Sequence, residues 1–137
     1  MKQIAAIIFQ NPEEKFLVYL RDNNTIVFPH HRDLIWGHVE LWETPEEALI
    51  REIEEEIGLT PNEYEYSFHK KYICTQWDVY PNEKYIYHGK INKTLEELTL
   101  YEWEKLAYVT ADEFDTLPFA NIIWSIMKDY RDTLTSQ

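Results

Sequence analysis

A chain of 137 residues with a formal net charge of −12 has room for one packed core, and its acidity repels nucleic acid and anionic membrane surfaces. An apolar share of 45% and an aromatic share of 15% exclude a disordered chain. The single cysteine, Cys74, excludes an intrachain disulfide, and its apolar, strand-like surroundings favour packing over a nucleophilic role.

No repeat, low-complexity tract or linker interrupts the sequence, so residues 1–137 read as a single domain. The apolar run from Ile4 to Phe9 is too short to span a membrane and meets Asn11-Pro12-Glu13-Glu14 directly. It reads as a buried strand, not a secretory signal. No later segment is apolar enough to span, so the expected location is cytoplasmic. Lys2–Phe9 and Lys15–Arg21 are β-rich and joined by a turn-like stretch, which suggests a hairpin. Ile26 to Phe28 is a short apolar piece stopped by Pro29, and residues 30–43 lack a clean period and read as a loop. Thr44-Pro45-Glu46-Glu47 supplies an N-cap hydroxyl, a first-turn proline and a capping-box glutamate. A helix therefore runs to about Ile57, with Gly58 as its left-handed stop. Tyr64–Gln76 and Tyr85–Ile91 read as strands, with Pro81-Asn82-Glu83-Lys84 as the turn between them. Leu106–Val109 is a last short strand. Thr110 to Glu113 is a second capping box, and residues 119–134 form an amphipathic closing helix. Strands interleaved with about three helices imply a mixed α/β domain.

On a wheel centred on residues 48–57, Leu49, Ile50, Ile53 and Ile57 share the core-facing arc, while Glu47, Arg51 and Glu54 lie opposite, toward solvent or a neighbouring loop. Glu52, Glu55 and Glu56 occupy a third arc through their i, i+3 and i+4 spacing. Three like charges so close repel by a few tenths of a kcal/mol per pair, roughly. They are either simply solvated or gathered for a hard cation such as Mg²⁺, which prefers carboxylate oxygens and shares its shell with phosphates.

The helix belongs to a longer pattern. Gly37 is followed by five residues, Glu43, seven residues, and then Arg51-Glu52-Ile53-Glu54-Glu55-Glu56-Ile57-Gly58-Leu59. All nine specified positions match the Nudix box, and two of the chain's three glycines bracket it. The chain thus resembles the Nudix hydrolases over residues 37–59, with a similar element order outside them. The resemblance implies a mixed β-sheet sandwiched between α-helices. It implies Mg²⁺, with Mn²⁺ as an alternative, held by Glu52, Glu55 and Glu56, with a carbonyl near Trp36 or Gly37 completing the shell. It implies an ion pair of Arg51 with Glu43 that orients the cluster. The implied reaction is attack of water on phosphorus in a nucleoside diphosphate linked to another moiety, with Glu55 as first candidate for the base. Glu102, before the last strand, is a second acidic candidate whose alternative is an ordinary exposed glutamate.

Two departures stand out: Trp36 replaces the first glycine of a common Gly-Gly pair, and Trp42 replaces another glycine. Both would put aromatics beside the site, as stacking surfaces or as loop anchors. Arg21, Phe28 and His30, with Trp36, are candidate substrate contacts. For each the plainer alternative is a surface cation, a core ring, or an exposed imidazole. His31 and the tyrosines Tyr64, Tyr66, Tyr85 and Tyr87 read as surface and sheet packing. The expected partner is a small nucleotide-type molecule, not nucleic acid or membrane, with a homodimer compatible with the pattern. The alternative from another class is a nucleotide-binding sensor domain without turnover. An acidic interaction domain leaves the glycine, glutamate and arginine spacing unexplained.

Overall fold

The structure is a computed structural model describing residues 1–20, 31–76, 78, 80–98, 106–120 and 122–135. Among these, seven strands form one mixed sheet: β1 (Lys2–Gln10), β2 (Phe16–Leu20), β3 (Arg32–Asp33), β4 (Ile35–His38), β5 (Tyr64–Cys74), β6 (Asn82–Ile91) and β7 (Leu106–Val109). Two α-helices accompany them, α1 (Pro45–Ile57) and α2 (Ile123–Thr135). The sheet runs β3-β2-β1-β6-β5, with β4 paired to β1 and β7 to β2. Of the strand pairings among the described residues, β1–β6 is parallel and the others are antiparallel.

Strand β1 organises the core because its side chains alternate between two apolar layers. Ala5, Ile7 and Phe9 pack with Ala48, Leu49, Ile53 and Ile57 of α1. Ala6 and Ile8 pack with Ile123, Ile126, Met127 and Tyr130 of α2. The sheet is therefore sandwiched between helices, an α/β architecture. Tyr64, Tyr66, Tyr85 and Tyr87 all join the α1-side layer. Cys74 is buried, and burial pushes its thiol up, away from the reactive thiolate. No helix among the described residues is long and apolar enough to cross a membrane.

Several sequence expectations shift. Residues 30–43 are not all loop, because β4 finds its hydrogen-bonding partners on β1, from Ile4 opposite His38 to Ile7 opposite Ile35. The expected turn at Pro81–Lys84 is displaced: Asn82, Glu83 and Lys84 begin β6, aligned with Lys2, Gln3 and Ile4. Buried Asn82 and Lys84 are tolerated there because both donate to Asp78, at 2.9 and 2.7 Å. On α1, Ala48 takes the buried place expected of Ile50, which is half-buried. The closing helix begins at Ile123, after the second capping box has opened a 3₁₀ turn over Ala111–Asp115.

Where α2 meets β5 and β6, two histidines are half-buried. His88 is hydrogen-bonded to Ser67 Oγ at 2.8 Å and Tyr130 Oη at 3.2 Å, and His69 meets the Tyr130 ring edge-on. Burial lowers both imidazole pKa values, and the Asp129 carboxylate opposes the shift at His69 only in part. Their folded values lie below the unfolded value of about 6.5. Their contribution to stability is complete above that pH and is lost as pH falls through the folded values. Urea denaturation should show the midpoint falling between pH 7 and 5 in the native chain, and a flatter profile in a His69→Phe/His88→Gln variant.

Candidate active site

Helix α1 is fixed at both ends. Thr44 Oγ1 accepts from the Glu47 N–H at 3.2 Å, and Glu47 Oε1 accepts from the Thr44 N–H at 2.8 Å, closing the capping box. At the other end Gly58 adopts φ 73°, and its N–H donates to the Glu54 carbonyl. Apolar burial fixes the helix's rotation, so Arg51, Glu52, Glu55 and Glu56 have defined places beside β4.

The β4–α1 loop folds back over this helix. Glu43 is turned inward, its side chain 7% exposed, and accepts the Glu40 N–H at 2.9 Å. Arg51 grips it bidentately: Nε donates to Oε2 and Nη2 to Oε1, both at 2.8 Å. Nη2 also donates to the His38 carbonyl at 3.1 Å. Nη1 reaches Glu52 Oε1 at 2.8 Å and Glu55 Oε2 at 3.4 Å. One guanidinium thus ties loop, strand and acidic face together, and of the two places the wheel leaves for Arg51, solvent or a neighbouring loop, it takes the loop.

The hydrogen bonds from Arg51 hold the Glu43 carboxyl down at about 2, and the same pairing raises the arginine. Burial pushes Glu52 up, with Arg51 pulling the other way. Glu52 is 14% exposed, against 57% for Glu55. The enclosure of Glu52 is completed by Gly37, where a Cβ would stand 2.1 Å from Glu52 Cδ. Only a residue without a side chain lets β4 lie this close to the carboxylate.

Beside this contact opens a cleft of about 430 Å³, walled by Trp36, Gly37, His38, Glu52 and Glu56, with Tyr19 and Leu106 also in its lining. Glu52 and Glu56 are both half-buried walls of the same space, whereas Glu55 stands more open. Among the described residues no group of three or more His, Cys, Asp or Glu is gathered as an ion-binding set. The oxygen-only chemistry of the three glutamates fits a hard cation. In the present arrangement Glu52 and Glu55 both engage Arg51.

The Glu43–Arg51 pair makes a stability prediction. Glu43→Gln should destabilise the fold by about 1–3 kcal/mol, because the guanidinium keeps its enclosure and loses its charged acceptor. Since the folded pKa of Glu43 is depressed, the native pair contributes fully above its ordinary value of 4.5 and is lost as pH falls toward about 2. Denaturation midpoints of the two proteins should therefore converge in that window.

Of the other candidates, Arg21, Phe28, His30 and Glu102 lie outside the described residues. Trp36 lines the cleft, packs against the α2-side layer and meets His38 edge-on. Trp42 is 80% exposed and is not a cleft wall, so of the two aromatic departures only Trp36 borders the space. Sequence reasoning missed His38, Glu40 and Tyr19 as walls. The available signal for His38 was its two-residue spacing from Trp36, which puts both on one face of a strand.

A family model described as NUDIX domain matches residues 1–130. Over 86 residues the chain is 34% identical to the 8-oxo-dGTP diphosphatase of Escherichia coli (strain K12). That stretch covers 55% of this chain and 61% of the relative, less than two thirds of its length. A mutT/nudix family protein from Listeria innocua superposes with a TM-score of 0.84 at 17% identity, covering 98% of this chain and 94% of that one. The NUDIX domain of Shewanella oneidensis NrtR, complexed with ADP ribose, gives 0.76 at 12% identity, covering 96% and 87%. NrtR complexed with a 27mer DNA gives 0.74 at 13%, covering 98% and 62%. At such identities the structural likeness is one of fold.

Proposed function

This chain belongs to the Nudix family, and from that premise we propose that it is a pyrophosphohydrolase cleaving a nucleoside diphosphate linked to another moiety, with nucleoside triphosphates, oxidised ones included, as the favoured substrates. The observation that carries the reading is the opening of Glu52 and Glu56 into one cleft behind Gly37, with Arg51 and Glu43 bracing the helix from outside it. The relative's substrate, 8-oxo-dGTP, motivates the inclusion of oxidised nucleotides.

Family hydrolases generally use divalent metals. Here Glu52, Glu55 and Glu56 would hold the ion, Mg²⁺ or Mn²⁺, with the backbone near Trp36 and Gly37 as a further oxygen donor. When bound, it supplies neutralisation of phosphate charge and a lowered pKa for the attacking water. The remaining work falls to the chain. Arg51 orients Glu52 through its direct hydrogen bond and is itself anchored by Glu43. Glu55, more open than Glu52, is suited to accept the proton of water. In so acidic a chain the phosphates need a cationic mediator. The same charge favours free nucleotides over nucleic acid as the ligand.

The alternative is a nucleotide-binding sensor domain without turnover, and one observation favours it: Arg51 already engages Glu52 and Glu55. The two readings separate in a hydrolysis panel of nucleoside triphosphates, their 8-oxo forms, dinucleoside polyphosphates and nucleotide sugars, each with Mg²⁺, Mn²⁺ or chelator. Metal-dependent release of pyrophosphate from triphosphates is the expected result. Nucleotide binding with no turnover under any condition would favour the sensor.

A further inference from the structure

On the side of the sheet where α2 packs, a serine and a histidine that take no part in the cleft stand in direct contact. Ser67 of β5 and His88 of β6 are partners across the antiparallel pair, so their side chains leave the sheet side by side. Ser67 Oγ lies 2.8 Å from His88 Nε2. The other ring nitrogen, Nδ1, lies 3.2 Å from Tyr130 Oη of α2. Tyr130 is buried in the α2-side layer, and its ring centroid is 5.4 Å from that of His88. Hydroxyl, imidazole and a fixed third group thus follow one another in the order that activates a nucleophile.

A cross-strand bond of this kind can serve only to satisfy a half-buried imidazole. Two observations favour more. An open hollow of about 250 Å³ lies over the pair, lined by Glu65, Tyr66, Ser67, His88, Gly89 and Lys90. Ser67 is exposed there, so a small molecule can reach its hydroxyl. Lys90, two residues along β6 from His88, stands on the same face and brings a positive charge to the hollow. Burial first, and the Lys90 charge second, lower the His88 pKa, which leaves the imidazole neutral near pH 7 and able to accept a proton.

We propose that Ser67 is a nucleophile toward small activated acyl donors, with His88 taking its proton and Tyr130 holding the imidazole in the tautomer this requires. With Nδ1–H donated to Tyr130 Oη, Nε2 accepts from the Ser67 hydroxyl. Oγ bonds to the acyl carbon, the bond from that carbon to the leaving group breaks, and the hydroxyl proton passes to Nε2. The leaving group departs with its electron pair, the imidazole returns its proton to solvent, and Ser67 is left as an O-acyl ester. The group behind the imidazole is a phenol, not a carboxylate, so the assistance is that of a positioned base, about 10²–10⁴-fold over an unassisted serine. The donor must therefore carry a leaving group stable as an anion, as an aryl ester does. None of these residues belongs to the cleft, so the activity stands apart from nucleotide hydrolysis.

The test uses p-nitrophenyl acetate with the full chain in chelator, following nitrophenolate release and mapping the acetyl group by peptide mass. The native protein should release nitrophenolate faster than Ser67→Ala and carry its acetyl group on Ser67. Ser67 is exposed, so its replacement by alanine should fold normally. His88→Gln should slow acylation by about 10²-fold. Tyr130→Phe should slow acylation while the final extent of acetylation at Ser67 stays native. A mere disturbance of packing would lower that extent instead. Release from Ser67→Ala as fast as from the native chain overturns the proposal. So does an acetyl group found only on lysine or tyrosine, or acylation unchanged in His88→Gln.

Discussion

Glu55→Gln is expected to lower metal-dependent turnover by roughly 10²–10⁴-fold, the range for loss of a positioned proton acceptor. The same change should leave stability within about 0.5 kcal/mol, as for exposed positions generally. The separation follows from where this side chain sits. Glu55 is 57% exposed, and its contacts with Arg51 are long, at 3.4 and 3.5 Å, so the fold loses little with its charge. Glu52 makes the instructive contrast. Its carboxylate is enclosed and 2.8 Å from Arg51, so Glu52→Gln alters both the site and the packing. Parallel measurements of kcat and of the denaturation midpoint for the two variants separate chemistry from architecture. Unimpaired turnover in Glu55→Gln would remove this residue from the proposed mechanism.

The second large effect is expected from a single methyl group. Gly37→Ala places a Cβ where Glu52 now stands, 2.1 Å from Cδ and 2.3 Å from Oε1. The backbone of Gly37 is not in the left-handed region, so alanine incurs no conformational strain there. What must give is the Glu52 side chain from Cγ outward, which is enclosed and paired with Arg51, so the change costs stability as well as displacing the carboxylate. Displacement of a catalytic group by an ångström costs about 10²-fold in rate. We therefore expect Gly37→Ala to lose turnover by that order, with a thermal midpoint below native. Weakened Mn²⁺ binding, read by calorimetry, should accompany the loss. A variant as active as the native chain would show that Glu52 has no fixed place in catalysis.

The parts of this protein legible from sequence are those specified by near neighbours. Thr44, Pro45, Glu47 and Gly58 mark the ends of α1 because capping is settled within one helical turn, and the structure has the helix at Pro45–Ile57. The fold family was readable too, because the spacing of Gly37, Glu43 and Arg51–Gly58 is a chemical requirement written into a continuous stretch. By contrast, β3 and β4, of two and four residues, are too short to show a clear period of their own. Four residues of β4 become a strand only because β1, about thirty residues earlier, offers its backbone groups. Lys84 looked like a turn residue because its partner, Asp78, lies across a connection whose path no local rule fixes.

At the site the division is similar. The order of acidic residues along α1 and their common arc follow from helical geometry, which the sequence determines by itself. Which of them are enclosed, and by what, does not. That Gly37 presses on Glu52, that Arg51 also reaches the His38 carbonyl, and that His38 faces Tyr80 are outcomes of tertiary structure. Helix identity is a sum of interactions within a few residues, whereas contact between a loop and a helix depends on the packing of the whole sheet. The sequence therefore determined the chemical groups and their order, and only the packed sheet decided which of them meet.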